Sequence, residues 1–360
     1  MDLTAARLQA LLDAARADVD ARLVPACQIS VGLDDEIVAF ETFGDAGPGT
    51  RFAARSITKA LVASAIWLLL GEGLVDPDAP VGRYVPEFDA DGRETVTVDH
   101  LLLHTAGLAN APMTWRDGTE PDRRRRQFTR WRPATRPGSR YAYHSASAHW
   151  VLADIIERLS GTDFRDFVHE RVCRPLGLPR VLGIPAAAQQ DIATVTWMGT
   201  GEWGGGTPAI DRAMNEPEVR AAGLPSGGAF FTAAELARFY QALLYDTGHL
   251  WQPEVLADAT GTIRCELRDP IFRVPCNRSR GLVIAGADGK HTRRYGAFGH
   301  TSSPAAFGHA GAHFQVAWAD PATGLSFAYL TNGVVPEPAG EIERAVRLST
   351  HAASLLEPAG

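Results

Sequence analysis

The stretch Ala53-Ala54-Arg55-Ser56-Ile57-Thr58-Lys59-Ala60-Leu61-Val62 carries one of only two lysines in a chain of 360 residues. Lys and Arg together number 35, so apart from Lys59 and Lys290 every such cation is an arginine. Wherever a solvated positive charge suffices, this chain uses Arg. A guanidinium stays protonated in a protein, whereas a buried amine can lose its proton and act as a base. Residues at i and i+3 share a helix face, which sets the Lys59 amine beside the Ser56 hydroxyl. That pairing can activate a serine nucleophile without a histidine. The apolar run 60–70 that follows is too short to span a bilayer and predicts a buried helix continuing from the pair.

Outward from this segment, both ends of the chain read as strands. Residues 25–33 and 36–43 predict a hairpin joined at Asp34-Asp35, and 315–319 and 325–332 predict a second one around Asp320-Pro321-Ala322-Thr323-Gly324. Residues 1–22 read as an amphipathic helix without the basic start and apolar run of a signal peptide. A closing helix is expected over 338–355. Between the ends, Pro and Gly breaks separate helical patterns at 98–103, 146–159, 164–172 and 233–244. The expected fold is α+β: an antiparallel sheet flanked by helices, built from residues 1–80 and 281–360, with a mainly helical lobe over 81–280 inserted and a cleft between them.

Two downstream segments offer partners for a Ser-Lys pair. In Tyr141-Ala142-Tyr143-His144-Ser145, just before a helix, Tyr143 is either a packed aromatic or a phenol presented to the cleft. Near a cationic Lys such a phenol would become more acidic and could act as a base. In Phe307-Gly308-His309-Ala310-Gly311-Ala312, the small residues let a substrate carbonyl approach a strand edge, where a backbone N–H could join that of Ser56 on a developing oxyanion. A structural role is the alternative for His309.

The order Ser56-x-x-Lys59, Tyr143-x-Ser145, His309-x-Gly311 resembles the serine β-lactamase and penicillin-binding-protein superfamily. The closer likeness is to its class C branch and the related family VIII carboxylesterases. Leu101-Leu102-Leu103-His104-Thr105-Ala106-Gly107-Leu108, Gly223-Leu224-Pro225-Ser226-Gly227-Gly228 and the stretch 307–332 share the resemblance, which spans about 24–332. It implies a β-lactamase-like fold with Ser56 as acylated nucleophile. Lys59 and Tyr143 would share the proton work, and Ala312 and Ser56 would supply the oxyanion N–H groups. Ser145, His309 and Gly311 would contact substrate. Two departures stand out. His309 replaces a Lys and Ser145 replaces an Asn, which favours a carboxylic-ester hydrolase over a true β-lactamase. Acyl transfer, amide or β-lactam hydrolysis, and a catalytically silent binding relative are the alternatives.

The net charge of −7 gives no footing for nucleic acid. The basic run Arg123-Arg124-Arg125-Arg126 reads as a solvated helix face or loop. Cys27, Cys173, Cys265 and Cys276 lack CxxC or metal-ligand spacing, so reduced thiols in a cytoplasmic protein are expected, with no metal and no cofactor. The expected partner is a small-molecule ester or amide, with no nucleic acid and no membrane, and the sequence is silent on oligomeric state. Gly199-Thr200-Gly201-Glu202-Trp203-Gly204 spells GxGxxG but is followed by Gly and Pro rather than a helix, so it reads as a loop. No GxSxG elbow and no HExxH motif are present.

Overall fold

Alternating residues of the terminal strands build one sheet with two different faces. In the computed structural model, which describes residues 2–199, 209–335 and 339–357, six strands form it. They are β1 (Ala26–Leu33), β2 (Glu36–Gly44), β3 (Val283–Ile284), β4 (Phe307–Ala310), β5 (Val316–Asp320) and β6 (Leu325–Thr331). Their spatial order is β2-β1-β6-β5-β4-β3, every neighbouring pair antiparallel. Both expected hairpins form. Asp34 and Asp35 turn the first with φ of 50° and 70°, a left-handed conformation that short acidic side chains tolerate.

The helices that frame the sheet and site are α1 (Ala5–Asp20), α2 (Thr58–Gly71), α3 (Ser147–Ser160), α4 (Ala233–Tyr245) and α5 (Ala339–Ala353). One sheet face carries bulk: Ile29, Val31, Trp318, Phe327 and Tyr329 share a core with α1 and α5. The period of two sends small residues to the other face. There Gly32 lies so close to α4 that a Cβ would stand 2.5 Å from Ser326 Oγ and 2.7 Å from Gln241 Cγ. The Gln241 side chain accepts from Asp35 N at 2.8 Å and donates to Gly324 O at 3.0 Å, tying α4 to both hairpin turns. So α4 covers the sheet, although it falls within the 81–280 span expected to form the helical lobe. The small-residue face gives its apolar stripe, Leu236, Phe239, Tyr240 and Leu243, a flat seat.

α2 is buried all round, from Thr58 to Leu69, and links the two layers. The arginine run does form a helix, Pro121–Phe128, but it is not wholly solvated. Arg123 and Arg126 are exposed, whereas Arg124 is fully buried against Asp154 and Glu157 of α3, 2.7 Å from the former. A guanidinium inside the fold needs such carboxylates. Helix Phe164–Val168 continues as a π-turn over His169–Cys173. The glycine-rich loop expected at 199–204 lies, from Thr200 on, outside the described residues. Among the described residues no helix is long and apolar enough to cross a membrane.

Candidate active site

Ser56 sits in a short 3-10 turn, Arg55–Ile57, that feeds directly into α2. The turn is fixed from two sides. Thr58 Oγ1 donates to Arg55 O at 2.6 Å and accepts from Ala229 N at 3.0 Å, while Ala54 N donates to Ala229 O at 2.9 Å. Lys59 is buried one turn on, with Nζ 3.4 Å from Ser56 Oγ. The amine also donates to Ser145 O at 3.0 Å and Ser226 O at 2.8 Å. Those two bonds use two N–H groups, so the remaining tetrahedral position of the nitrogen faces Ser56. Burial, reinforced by the charge of Arg278, pushes the Lys59 amine well below its ordinary range.

The carbonyl of Ser226 is available because 223–228 forms a tight turn. Gly227 N and Gly228 N both donate to Leu224 O, and a Cβ on Gly228 would stand 2.3 Å from Leu224 N. The Ser145 carbonyl is held by the neighbouring stretch 101–108. His104 O accepts from Ala142 N, His104 Nδ1 from His144 N, and Leu108 O from Ser147 Oγ.

Tyr143 lies in the same cluster, its ring 5.0 Å from Lys59 Nζ and 4.7 Å from the His104 ring. Its hydroxyl is shielded and turned toward those of Ser56 and Tyr295 without reaching hydrogen-bond geometry. The expectation that a neighbouring cation makes this phenol acidic is corrected. Burial dominates, Tyr295 adds to it, and the opposing pulls of Arg278 and Ser56 are smaller, so the phenol sits well above its ordinary range. Tyr143 is therefore protonated in the resting site.

Ser56, Ser145 and Ala312 line one cavity of about 380 Å³ together with Ser226, Gly227, Trp115 and Trp150. Trp131 does not line the cavity and packs in the helical core against Phe88 and Phe128. Gly311 sits behind Ala312 and lets β4 press against the serine turn. A Cβ there would be 2.5 Å from Ala54 O. His309 does not line the cavity. It is fully buried, its Nδ1 2.6 Å from Ala310 O, and its ring lies edge-on to Tyr295 at 5.4 Å. Burial first, then Arg278 and Lys59, hold it neutral, well below the usual histidine range. The charges that do reach the cavity are Arg55 and Asp211, paired with each other at 2.9 Å.

Sequence reasoning missed Ser226, Tyr295 and Arg278. The glycine-rich turn was visible at 223–228, but nothing local tells that its carbonyl meets Lys59. Tyr295 arrives on the loop after β3, where its carbonyl accepts from Ala310 N at 2.8 Å and extends the β4 edge.

A serine beside a buried amine, in a cleft between an antiparallel sheet and a helical layer, defines a serine hydrolase. The Beta-lactamase family profile matches residues 11–352, and the chain belongs to that family. It is 32% identical to Esterase EstB of Burkholderia gladioli, over 71% of this chain and 73% of that protein. It is 28% identical to Esterase/beta-lactamase LipL of Mycobacterium tuberculosis, over 77% of this chain and 68% of that one. A solved penicillin-binding-protein homologue from Caulobacter crescentus superposes with a TM-score of 0.81 at 26% identity, covering 99% of each chain.

Proposed function

We propose that this protein hydrolyses small carboxylic esters through an acyl-enzyme on Ser56. The observation that carries the reading is the environment of Lys59: two carbonyl acceptors, those of Ser145 and Ser226, and a third position 3.4 Å from Ser56 Oγ. A neutral amine so held keeps its lone pair for the serine proton.

On this reading Lys59 takes the Ser56 proton as Oγ attacks the ester carbonyl. The backbone N–H groups of Ser56 and Ala312 receive the developing oxyanion. Tyr143, protonated at rest, gives its hydrogen to the departing alkoxide and recovers one from Lys59 through the shared cluster. Water then attacks the acyl-enzyme with the same groups in reverse. Ser145 acts through its carbonyl, and Gly311 by allowing close approach. His309 supports the cluster from behind.

The lining favours esters over β-lactam carboxylates. Met113, Trp115, Trp150, Ile210, Met214 and Leu224 put large apolar side chains on the described wall, and its one cation, Arg55, is already paired with Asp211. No described lining group is left to hold a substrate carboxylate. The relative named Esterase EstB supports the same choice, while LipL is named for both activities. Four free thiols support a reducing, cytoplasmic setting.

The test is a panel of p-nitrophenyl acyl esters run beside a chromogenic cephalosporin, with and without a competing alcohol, on the parent and Ser56→Ala. The expected result is ester turnover that Ser56→Ala abolishes, with a mass increment of one acyl group trapped on Ser56. Cephalosporin turnover faster than ester turnover would overturn the substrate class. Full rate in Ser56→Ala would overturn the nucleophile. New ester as the main product would make the protein a transferase.

A further inference from the structure

Arg278 is a buried charge with no carboxylate partner among the described residues. It lies on the hairpin 265–278, two residues after Cys276, and is 1% exposed. Its Nε donates to the Tyr141 hydroxyl at 3.2 Å. Its Nη1 and Nη2 have no hydrogen-bond partner, and it forms no ion pair among the described residues. Arg124, buried to the same degree, has two carboxylates. Burying a guanidinium without a counter-ion is strongly unfavourable. A fold that keeps one there gets something other than stability from it.

What faces the guanidinium is the catalytic cluster. Its Cζ stands 5.3 Å from the Tyr143 ring centre, and 5.8 Å from those of Tyr141 and Tyr295. Lys59 Nζ stands 5.0 Å from the centre of that same Tyr143 ring. Arg278 and the Lys59 amine are therefore within about 10 Å of each other, across one phenol, in a site screened from water. The other groups that share the field are Cys265 and Cys276 from its own hairpin, His104, His149 from α3 and His309 from β4. None of them is a carboxylic acid, although the Cys265 thiol is drawn below its ordinary range, chiefly by its hydrogen bond with Cys276. Asp269, the carboxylate that acts on Tyr141 and Tyr295, is turned to the hairpin backbone, accepting from Ile271 N at 2.7 Å and Phe272 N at 3.2 Å. Arginine stays charged in a protein. The cluster thus holds one permanent positive charge with no carboxylate paired to it, and the amine and imidazoles around it are biased against carrying a second.

We propose that Arg278 is a positioning residue for the reaction, the fixed cation that holds Lys59 as a free amine and readies Tyr143 to give up its phenolic proton. The proposal rests on the reading of Lys59 as base. It touches neither substrate nor the reacting atoms. Its action is electrostatic, and it also explains the N–H groups left without acceptors on Nη1 and Nη2: a carboxylate placed there would cancel the field. The sign is set by repulsion. With the guanidinium present, protonating Lys59 is opposed, so the base form persists to lower pH. Removing it makes Lys59 easier to protonate, and the base form is lost at higher pH. At an effective dielectric of about 20, a unit charge about 10 Å away moves such an equilibrium by about one pH unit.

The experiment is the pH profile of kcat/KM on p-nitrophenyl butyrate, between about pH 5 and 10, for the parent, Arg278→Met and Arg278→Lys, with thermal melts to check folding. In Arg278→Met the acid limb moves up by about one unit, giving roughly tenfold loss below the parent limb that closes on the alkaline plateau. KM is unchanged, and Arg278→Lys returns the limb toward the parent position. A folded Arg278→Met with the parent limb, or with equal loss at every pH, overturns the proposal. Should the methionine variant not fold, Arg278→Gln, whose amide can keep the Tyr141 bond, carries the same expectation. Lys59→Arg separates the two readings. If it is inactive while the limb of Arg278→Met has not moved, only the role of Arg278 falls. If it keeps the parent rate, the Lys59 base falls as well.

Discussion

Gly311→Ala should disable the enzyme without touching any reacting group. Gly311 has φ of −98° and ψ of 163°, a conformation any residue adopts, so alanine brings no backbone strain. The obstacle is space. A Cβ there would stand 2.5 Å from Ala54 O, 2.8 Å from Arg55 Cβ and 3.0 Å from Gln315 Cβ. Neither side yields freely: Gly311 N is bonded to Gln315 O at 2.8 Å, and Ala54 N to Ala229 O at 2.9 Å. To restore an ordinary contact of 3.4 Å, the β4 end must retreat from the serine turn by about 0.9 Å. Ala312 moves with it, and its N–H leaves the oxyanion position it would share with Ser56. A displacement near 1 Å costs about 10²-fold, and loss of one oxyanion donor about 10²–10³-fold, or about 2.7–4 kcal/mol of barrier. The loss falls on kcat, because the donors matter most in the transition state. The assay is kcat and KM on p-nitrophenyl butyrate beside a thermal melt. Gly227→Ala is the control, since its Cβ would meet only Arg55 backbone atoms, at 3.8 and 3.9 Å in the same cleft. A folded Gly311→Ala enzyme with parent kcat would refute the oxyanion geometry.

Three further outcomes can be checked. Lys59→Met should abolish turnover yet raise the melting temperature near neutral pH. Folding must strip a proton from an amine held below its unfolded value, a destabilisation greatest at low pH that vanishes above the unfolded lysine pKa of about 10.4. The gain in Tm should therefore shrink as pH approaches 10, and a fall in Tm at neutral pH would contradict the assigned amine state. Tyr143→Phe should lower kcat by about 10²–10⁴-fold if the phenol carries the leaving-group proton. The loss should be largest for esters of poorly acidic alcohols, and equal loss for all leaving groups would return Tyr143 to packing. Asp154→Asn should destabilise the fold by about 3–5 kcal/mol in urea titration, because it leaves buried Arg124 short of an anion, and kcat of the folded fraction should stay near parent.

The parts of the site legible in the sequence were those that local chemistry specifies. Ser56 and Lys59 meet because three residues of helical rise bring them together, wherever the helix sits. The two hairpins were visible because a strand's period of two shows in a few residues. Tyr143 was placed correctly near the pair but with the wrong acidity, because burial is a property of the whole fold and outweighs the charge that the sequence suggested. Arg278 and Tyr295 were illegible, being brought to Ser56 from more than 200 residues away by the β3–β4 edge of the sheet. Arg124 illustrates the same limit. Its three arginine neighbours disguised it as surface, and only the arrival of Asp154 from α3 identifies it as core.

The hydrogen bonds that are missing from the cluster say as much about its use as those that are made. Tyr143 Oη, His309 Nε2, both His149 ring nitrogens and both terminal nitrogens of Arg278 are buried without hydrogen-bond partners. A structural polar network would be driven to satisfy these atoms, since each unpaired one weakens the fold. Satisfying them would also lock each donor and acceptor into a single role. A phenol committed to a carbonyl cannot hand its proton to an alkoxide, and an arginine paired with a carboxylate no longer acts on its neighbours. The two bonds that Lys59 does make follow the same logic. Carbonyl oxygens fix the direction of the amine and accept from it both before and after it takes a proton, more strongly once it is charged, so its orientation survives the change of charge that the reaction requires.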